Sequence, residues 1–220
     1  MLSDISQAAL QNFDYWWNLK GESVEPANIR RNGESGVERV ATDSGLLYIK
    51  RQRNHLFYSL RYPFGLPTVM REKFSVDILG KIGIHVPVVI FAEARKIAGA
   101  WQAVLVTRDL AGYADLEYWY RKGGRERLGE QQHELFLLKL GQLLKRIHSH
   151  HWQHACLYPK HIFVTLGDVD TLPEIALIDL EKMRRRLLPG HAARRDLDQL
   201  RRHSPMWNEQ DWKILLKGHN

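Results

Sequence analysis

The chain has 220 residues, of which 44% are hydrophobic and 10% aromatic, and its formal charge is +7. This composition excludes disordered and collagen-like chains, and the length fits one large domain or two small lobes. The last forty residues hold ten Lys or Arg against five Asp or Glu. A basic end of this kind can face phosphates, nucleic acid or an anionic membrane surface, or it can form a solvated helix face.

The cysteine content and the apolar pattern predict the compartment. Cys156 is the one cysteine and cannot form an internal disulfide, so a reducing cytoplasm is expected. The N-terminal residues lack the positive region and apolar core of a secretory signal. The longest apolar stretch, residues 82–94, is interrupted by charged residues and a proline and is far shorter than a membrane span. These observations predict a soluble protein.

Strand patterns with one inserted helix are predicted in the first half of the chain. Turn residues between β-prone runs indicate a hairpin, and apolar residues at helical spacing indicate a helix that two glycines end. The predicted elements are a glycine-bearing loop at 31–37, strands 39–42 and 46–50 around the turn 43–45, a helix that starts at Pro67-Thr68 and is stopped by Gly80 and Gly83, and strands 87–92 and 101–106.

Helical patterns dominate after Thr107, with one short pair of strands among them. The apolar stripe from Glu130 to His148 predicts a helix of about five turns. Strands are expected at 162–165 and 175–178, and helices from Asp196 onwards, with Trp207 and Trp212 packed inward. A β-rich first half and a helical second half predict a two-lobed protein.

Lys50 at the end of a predicted strand and Glu72 on the predicted helix form the first candidate pair. Val69, Val76 and Leu79 place the Glu72 carboxylate on an apolar helix face. A carboxylate turned towards a core needs a cation, because leaving it unpaired costs several kcal/mol. Lys50 is the available partner, and such a pair fixes the phosphate-binding lysine of the kinase fold. The alternative places Glu72 on a solvated helix edge.

Polar residues beside the second pair of strands form the other candidate site. Lys160 and His161 precede one strand and Asp179 closes the next, so a hairpin brings the imidazole and the carboxylate together. These two groups can hold a divalent ion beside a phosphate, while Lys160 neutralises charge that develops on a transferred group. The alternative for Asp179 is a turn cap.

These segments resemble a known family. The stretch from His154 to Phe163, HACLYPKHIF, and the stretch from Leu177 to Lys182, LIDLEK, resemble the lipopolysaccharide core kinases of the Kdo/WaaP group, and most closely their InaA-like branch. The resemblance runs from about Asn28 to Leu200. It implies an α+β, two-lobed protein-kinase-like fold, with a β-rich N-lobe that contains one helix and a helical, shortened C-lobe.

The resemblance also implies domains, cofactors and roles. It implies an N-terminal helical extension at 1–27, a nucleotide-binding N-lobe at 28–107, and a C-lobe at 108–220 that carries the catalytic loop and the metal site. ATP and Mg²⁺ are the implied cofactors. By the resemblance, Lys50 contacts the nucleotide phosphates and Glu72 holds Lys50. Gly33 and Gly36 form an incomplete glycine loop, and Leu105–Leu110 form the hinge under the adenine. His161 replaces a metal-binding asparagine, Asp179 is the main magnesium ligand, and Asp196 braces the catalytic loop.

Cys156 departs from the family pattern, because it stands where the catalytic aspartate is expected. A thiol is a poor substitute for a carboxylate that orients and deprotonates an alcohol. Phosphoryl transfer has a loose transition state, however, so the loss of the base slows the reaction without necessarily abolishing it. His154 is a candidate replacement base. The chain is therefore predicted to be an ATP- and Mg²⁺-dependent kinase, and the alternative is a pseudokinase that binds nucleotide or a partner without efficient transfer.

Two further hypotheses come from basic and histidine-rich segments. Arginines at 184–186 and 194–195 suggest nucleic-acid binding, but no recognised nucleic-acid module is present, so no such partner is expected. The histidines at 148–154 invite a metal site, yet they have no cysteine or carboxylate among them, and an exposed helix end is favoured. The expected partner is lipopolysaccharide core or another glycolipid. A cytoplasmic monomer is expected, with peripheral contact at the inner membrane face.

Overall fold

The computed structural model describes residues 11–24, 26–30, 33–166 and 171–220. The helices among them are α1 (Phe13–Asn18), α2 (Thr68–Lys81), α3 (Leu116–Arg121), α4 (Gly124–Leu128), α5 (Glu130–Ser149), α6 (Pro189–Arg202) and α7 (Glu209–His219), with short 3₁₀ helices at Pro159–His161 and Leu180–Lys182. The strands are β1 (Glu22–Ser23), β2 (Asn28–Arg30), β3 (Gly33–Thr42), β4 (Gly45–Arg53), β5 (Leu56–Phe57), β6 (Leu66–Pro67), β7 (Val89–Ile97), β8 (Ala100–Arg108), β9 (Tyr113–Asp115), β10 (Trp152–Gln153), β11 (Ile162–Thr165), β12 (Ile175–Leu177) and β13 (Arg184–Arg185).

The chain divides into two compact units. The first comprises the described residues up to Val76 and those from Pro87 to Ala111, and the second comprises Asp77–Val86 and the described residues from Gly112 on. The domain limits at residues 27 and 107 stay a prediction. Among the described residues, no helix combines the length and the apolar character that a bilayer crossing requires.

An antiparallel sheet forms the frame of the first unit. Its strands follow the order β1-β3-β4-β8-β7, and β2 also pairs with β3. The predicted hairpin is confirmed as β3 and β4, which join at Thr42 and Gly45, where the glycine has a φ of +115°. The two later strands are also confirmed and extend further than predicted, to Ile97 and Arg108.

Strand β8 separates two layers of core in the first unit, because alternate side chains point to opposite faces of a sheet. Val104 and Val106 belong to a buried cluster with Phe13 and Trp16 of α1. Ala103 and Leu105 pack instead with Val69 of α2. The helix that carries Glu72 is therefore seated on the sheet through its own apolar residues.

Two sequence expectations about the first unit are wrong. Residues 33–37 are not a loop, because they form the start of β3, where Gly33 and Gly36 pair with β2 and β4. Residues 31 and 32 lie outside the described residues. Lys50 does not end its strand either: β4 continues to Arg53, since its residues pair with both β3 and β8.

Helices α5 and α7 form the core of the second unit. The buried stripe of α5 includes Phe136, Leu140 and Leu144, as its spacing predicts. A Cβ at Gly141 would lie 2.1 Å from the Leu215 carbonyl oxygen, so glycine allows the two helices to approach closely.

Several other elements of the second unit test the predictions made from the sequence. Trp207 and Trp212 are buried, as expected. Helix α6 begins at Pro189 rather than at Asp196, because proline is favoured in a first helical turn, where its missing N–H has no intrahelical partner. Strand β9 and helices α3 and α4 were not predicted.

Candidate active site

Lys50 and Glu72 form an ion pair within the first unit. The Nζ of Lys50 lies 2.8 Å from Oε2 of Glu72, and the side chains are 18% and 15% exposed. Val69, Val76 and Leu79 are buried on the same helix, as the periodicity predicts. The contact between strand lysine and helix glutamate is thus observed. The role of the pair in nucleotide binding stays a prediction.

A buried glutamine fixes the start of α2 beside this pair. The Gln52 side chain, two residues after Lys50, accepts a hydrogen bond from the Val69 backbone N–H at 3.0 Å. Its Nε2 donates to the hydroxyls of Thr68 at 2.8 Å and Ser35 at 3.2 Å. Gln52 therefore joins β3, β4 and the first turn of α2. The sequence interpretation missed it, although a polar residue at an inward strand position, two after Lys50, was the available signal.

The two predicted loop glycines have different surroundings. A Cβ at Gly33 would lie 2.6 Å from the Asn54 carbonyl oxygen, so the close approach of the neighbouring backbone requires glycine there. A Cβ at Gly36 would meet nothing nearer than 4.0 Å. Gly33 thus has a packing reason that needs no ligand. The phosphate contacts of both glycines and the adenine contact of residues 105–110 stay predictions.

The second unit brings together the catalytic and metal-binding candidates of the second half. Strands β11 and β12 pair with Ile162 opposite Leu177, so the expected hairpin is present. His161 Nδ1 lies 3.5 Å from Asp179 Oδ2. Ligand atoms of Cys156, His161 and Asp179 all lie within 4.8 Å of one another. This cluster is the one group of three such ligands found across the described ranges.

The backbone conformation of Asp179 and the hydrogen bond of His161 bear on how the two groups can bind a metal. Asp179 has a left-handed conformation, with φ 57° and ψ 53°, and no side-chain capping bond to the following 3₁₀ helix. The turn-cap interpretation therefore lacks its hydrogen bond. His161 Nδ1 lies 2.7 Å from the Cys156 carbonyl oxygen, which can only accept, so Nδ1 carries the proton. The Nε2 lone pair is then the one that can bind a metal.

The Cys156 side chain is a protonated thiol in this environment. Burial, the negative charge of Asp179 and a hydrogen bond to Asp179 raise its pKa to about 11. Lys182 and the exposed Lys160 oppose this shift, and Lys182 Nζ lies 3.9 Å from the sulfur. Lys182 was missed as a candidate, although it stands in the LIDLEK stretch. A second ammonium group therefore lies beside the cluster.

Asp196 holds the backbone that precedes Cys156. Its buried carboxylate accepts hydrogen bonds from the N–H groups of His154 at 2.6 Å and Ala155 at 2.9 Å. It also lies 3.2 Å from His148 Nε2. The expected brace from the following helix is observed, and it fixes a segment where Ala155 has a φ of 62°.

The structure contradicts His154 as a replacement base. Its ring is buried, with Nε2 3.1 Å from the Ile178 carbonyl oxygen and Nδ1 accepting from the Cys156 N–H. Desolvation lowers its pKa. His148 is likewise buried, between Asp196 and His219. The expected exposed helix end is therefore wrong for His148 and His154, which are buried, although His150 is exposed. None of the histidines at 148–154 belongs to the metal-ligand cluster.

Two members of the cluster, the Asp179 carboxylate and the His161 imidazole, can bind a divalent ion, whereas the protonated Cys156 thiol is not a metal ligand. Nucleotide phosphates supply further oxygen ligands in kinases. Magnesium prefers oxygen ligands, whereas an imidazole and a thiol suit softer ions. Asp179 is thus the ligand most suited to Mg²⁺.

The fold is similar to that of a solved structure. The structure titled "WaaP in complex with acyl carrier protein" matches with a TM-score of 0.68 over 94% of this chain and 81% of that chain, at 18% sequence identity. At this identity the match supports the fold, and the kinase-like prediction is confirmed.

Sequence comparison identifies the family. The model of the lipopolysaccharide kinase (Kdo/WaaP) family matches residues 14–219. "Protein InaA" of Escherichia coli (strain K12) is 39% identical over 207 residues, which cover 94% of each chain. The chain belongs to the lipopolysaccharide kinase (Kdo/WaaP) family. This membership makes it a phosphotransferase of the class that uses a hydroxyl acceptor.

Proposed function

We propose that the chain is an ATP- and Mg²⁺-dependent kinase that phosphorylates a sugar hydroxyl of lipopolysaccharide inner core or a related glycolipid. One observation carries the proposal: a chain of this family holds a Lys50–Glu72 ion pair in one unit and a Cys156–His161–Asp179 cluster in the other. A lysine–glutamate pair for phosphate and an aspartate for metal are groups that a kinase needs, while Cys156 and His161 stand where kinases carry an aspartate and an asparagine.

Each group has a defined task in this proposal. Glu72 holds the Lys50 ammonium in one position, where it binds nucleotide phosphates. Asp179 and the Nε2 of His161 hold the cation, which when bound neutralises charge on the transferring phosphoryl group. The ammonium groups of Lys160 and Lys182 add positive charge beside Cys156. In a loose transition state such positioning and charge contribute more than proton abstraction.

Cys156 sets the expected rate. A thiol with a pKa near 11 is almost fully protonated at neutral pH, so it can donate a hydrogen bond but cannot accept the acceptor's proton. We expect slow turnover for this reason. The same observation supports the second candidate, a pseudokinase that binds nucleotide or a partner and transfers nothing.

The acceptor belongs to a membrane lipid in this proposal, and the basic end of the chain supports it. Arginines at 184–186 and 194–195 follow Asp179 in sequence, with no acidic residue from 182 to 195. Basic clusters of this kind attract anionic lipid headgroups. We propose a monomer that meets the inner face of the cytoplasmic membrane peripherally, and no nucleic-acid partner.

Transfer of labelled phosphate tests the proposal. Purified protein is incubated with γ-labelled ATP, Mg²⁺ and dephosphorylated core oligosaccharide, beside Asp179→Asn and the exposed control Asp198→Asn. The kinase interpretation predicts label in the oligosaccharide with wild type and Asp198→Asn, and none with Asp179→Asn. If wild type binds nucleotide but transfers no label, and Cys156→Asp does transfer it, the pseudokinase interpretation is correct. If wild type neither binds nor transfers, both are wrong.

A further inference from the structure

An exposed loop of the first unit carries bulky apolar side chains. This segment, the aromatic loop, runs from Leu56 to Leu66, and its ends pair as β5 and β6. Leu60 is fully exposed, Phe64 is 91% exposed and Tyr58 is 67% exposed. Single exposed apolar residues are ordinary, but three on one short loop form the kind of patch that marks an interaction surface.

The aromatic loop is ordered by contacts of its own. Ser59 and Tyr62 exchange backbone hydrogen bonds of 3.0 and 3.3 Å, which place Leu60 and Arg61 at the tip. The rings of Phe57 and Tyr62 meet edge to face at 5.8 Å. The apolar tip is therefore held outward by the folded structure, so it presents the same surface to any partner without a large ordering cost.

The charge of this region specifies the partner. Residues 53–71 contain three Arg and no Asp or Glu. Arg61 lies at the tip, with its guanidinium carbon Cζ 5.6 Å from the centre of the Tyr62 ring. The Cζ of Arg71 lies 4.7 Å from the centre of the Phe57 ring. Apolar and tyrosine side chains interleaved with arginines match the boundary between anionic headgroups and acyl chains.

We propose that the aromatic loop inserts into the surface of an anionic bilayer, with Leu60 and Phe64 in the acyl region and Arg61 among the headgroup phosphates. This membrane-binding surface belongs to the first unit and is proposed in addition to the basic segments at 184–195. It does not depend on phosphate transfer, because vesicle binding is measured without nucleotide or acceptor.

Vesicle co-sedimentation of the full chain tests the proposal. Vesicles of phosphatidylglycerol and phosphatidylcholine are compared with vesicles of phosphatidylcholine alone. We expect binding to the anionic vesicles, a loss of tenfold or more for Leu60→Ser/Phe64→Ser, and a loss of about fivefold for Arg61→Gln. The matched control Val88→Ser/Ile97→Ser changes two exposed apolar residues of the same unit and is expected to bind like wild type.

A fluorescent label reports whether the tip enters the bilayer. Leu60→Cys and, as control, Ile97→Cys are labelled briefly at pH 7 with an environment-sensitive dye, conditions in which the buried Cys156 thiol is expected to react much more slowly than the introduced thiols, and wild type treated in the same way gives the background. The proposal predicts a blue shift on vesicle addition at position 60 and none at position 97. It is overturned if wild type does not bind anionic vesicles, if the loop and control variants bind equally, or if position 60 shows no shift. A loop needed only for a protein contact gives the second and third of these results.

Discussion

Asp196 offers a direct quantitative test of how the backbone before Cys156 is held. Its fully buried carboxylate accepts hydrogen bonds from two backbone N–H groups, those of His154 and Ala155. Asp196→Ala removes the acceptor of both, and a buried donor left without a partner costs about 1–3 kcal/mol. We therefore expect the free energy of unfolding to fall by about 2–6 kcal/mol. Asp196→Asn keeps one oxygen and should lose about half as much.

Urea denaturation followed by circular dichroism measures these losses. The control is Asp198→Ala, because Asp198 is exposed on the same helix, and a change within about 0.5 kcal/mol is expected there. In thermal melts, each 1 kcal/mol corresponds to about 2–4 °C for a chain of this size. The reasoning is refuted if Asp196→Ala costs less than about 1 kcal/mol, or if Asp198→Ala costs as much. Asp196→Asn keeps the test decisive if the alanine variant does not fold.

Three further variants test the surroundings of the two candidate sites. Glu72→Gln removes the charge that holds Lys50, so the nucleotide affinity measured by titration calorimetry should fall about tenfold or more. The melting temperature should fall as well, because the mostly buried Lys50 ammonium loses its partner. An unchanged affinity would argue against the pair. The rate at which Cys156 reacts with iodoacetamide, measured by mass spectrometry, should rise about tenfold for each pH unit up to the thiol pKa near 11. Asp179→Asn should speed the reaction at pH 8, because loss of the carboxylate lowers the thiol pKa. A rate that does not depend on pH contradicts this prediction. Gln52→Leu leaves the buried Val69 N–H and the Ser35 hydroxyl without their partner, whereas the Thr68 hydroxyl keeps its contact with His55. The free energy of unfolding should fall by about 2–6 kcal/mol, and a loss under about 1 kcal/mol in urea contradicts the prediction.

Periodicity predicted those parts of the fold where one face is buried. The apolar face around Glu72 and the stripe of α5 were read correctly, because burial on one side leaves a repeat of 3.6 residues in the sequence. The strand limits near Lys50 were misjudged, since a strand paired on both edges continues through Arg51 and Arg53 even though these residues are charged. Pairing between distant segments is not visible in a local pattern.

The candidate sites were predictable where residue type and order coincide with a hairpin. His161 and Asp179 were placed together because two short strands flanked by polar residues pair across a turn. Lys182 and Gln52 were missed, because their significance depends on which side chains lie opposite them in space. The interpretation of His154 as a base failed for a related reason: its burial, and hence its lowered pKa, follows from contacts with Ile178 far along the chain.

Metal-dependent nucleotide binding tests the central claim that Asp179 and its neighbours form the metal site of a kinase. Melting temperature is measured with ATP alone and with ATP plus Mg²⁺, for wild type, Asp179→Ala and the control Asp198→Ala. A ligand at a hundred times its Kd stabilises a protein by about 2.7 kcal/mol, which is about 5–11 °C here. We predict a further rise on adding Mg²⁺ for wild type and Asp198→Ala, and none for Asp179→Ala. An equal rise in Asp179→Ala, or no nucleotide-dependent rise in wild type, would contradict the assignment.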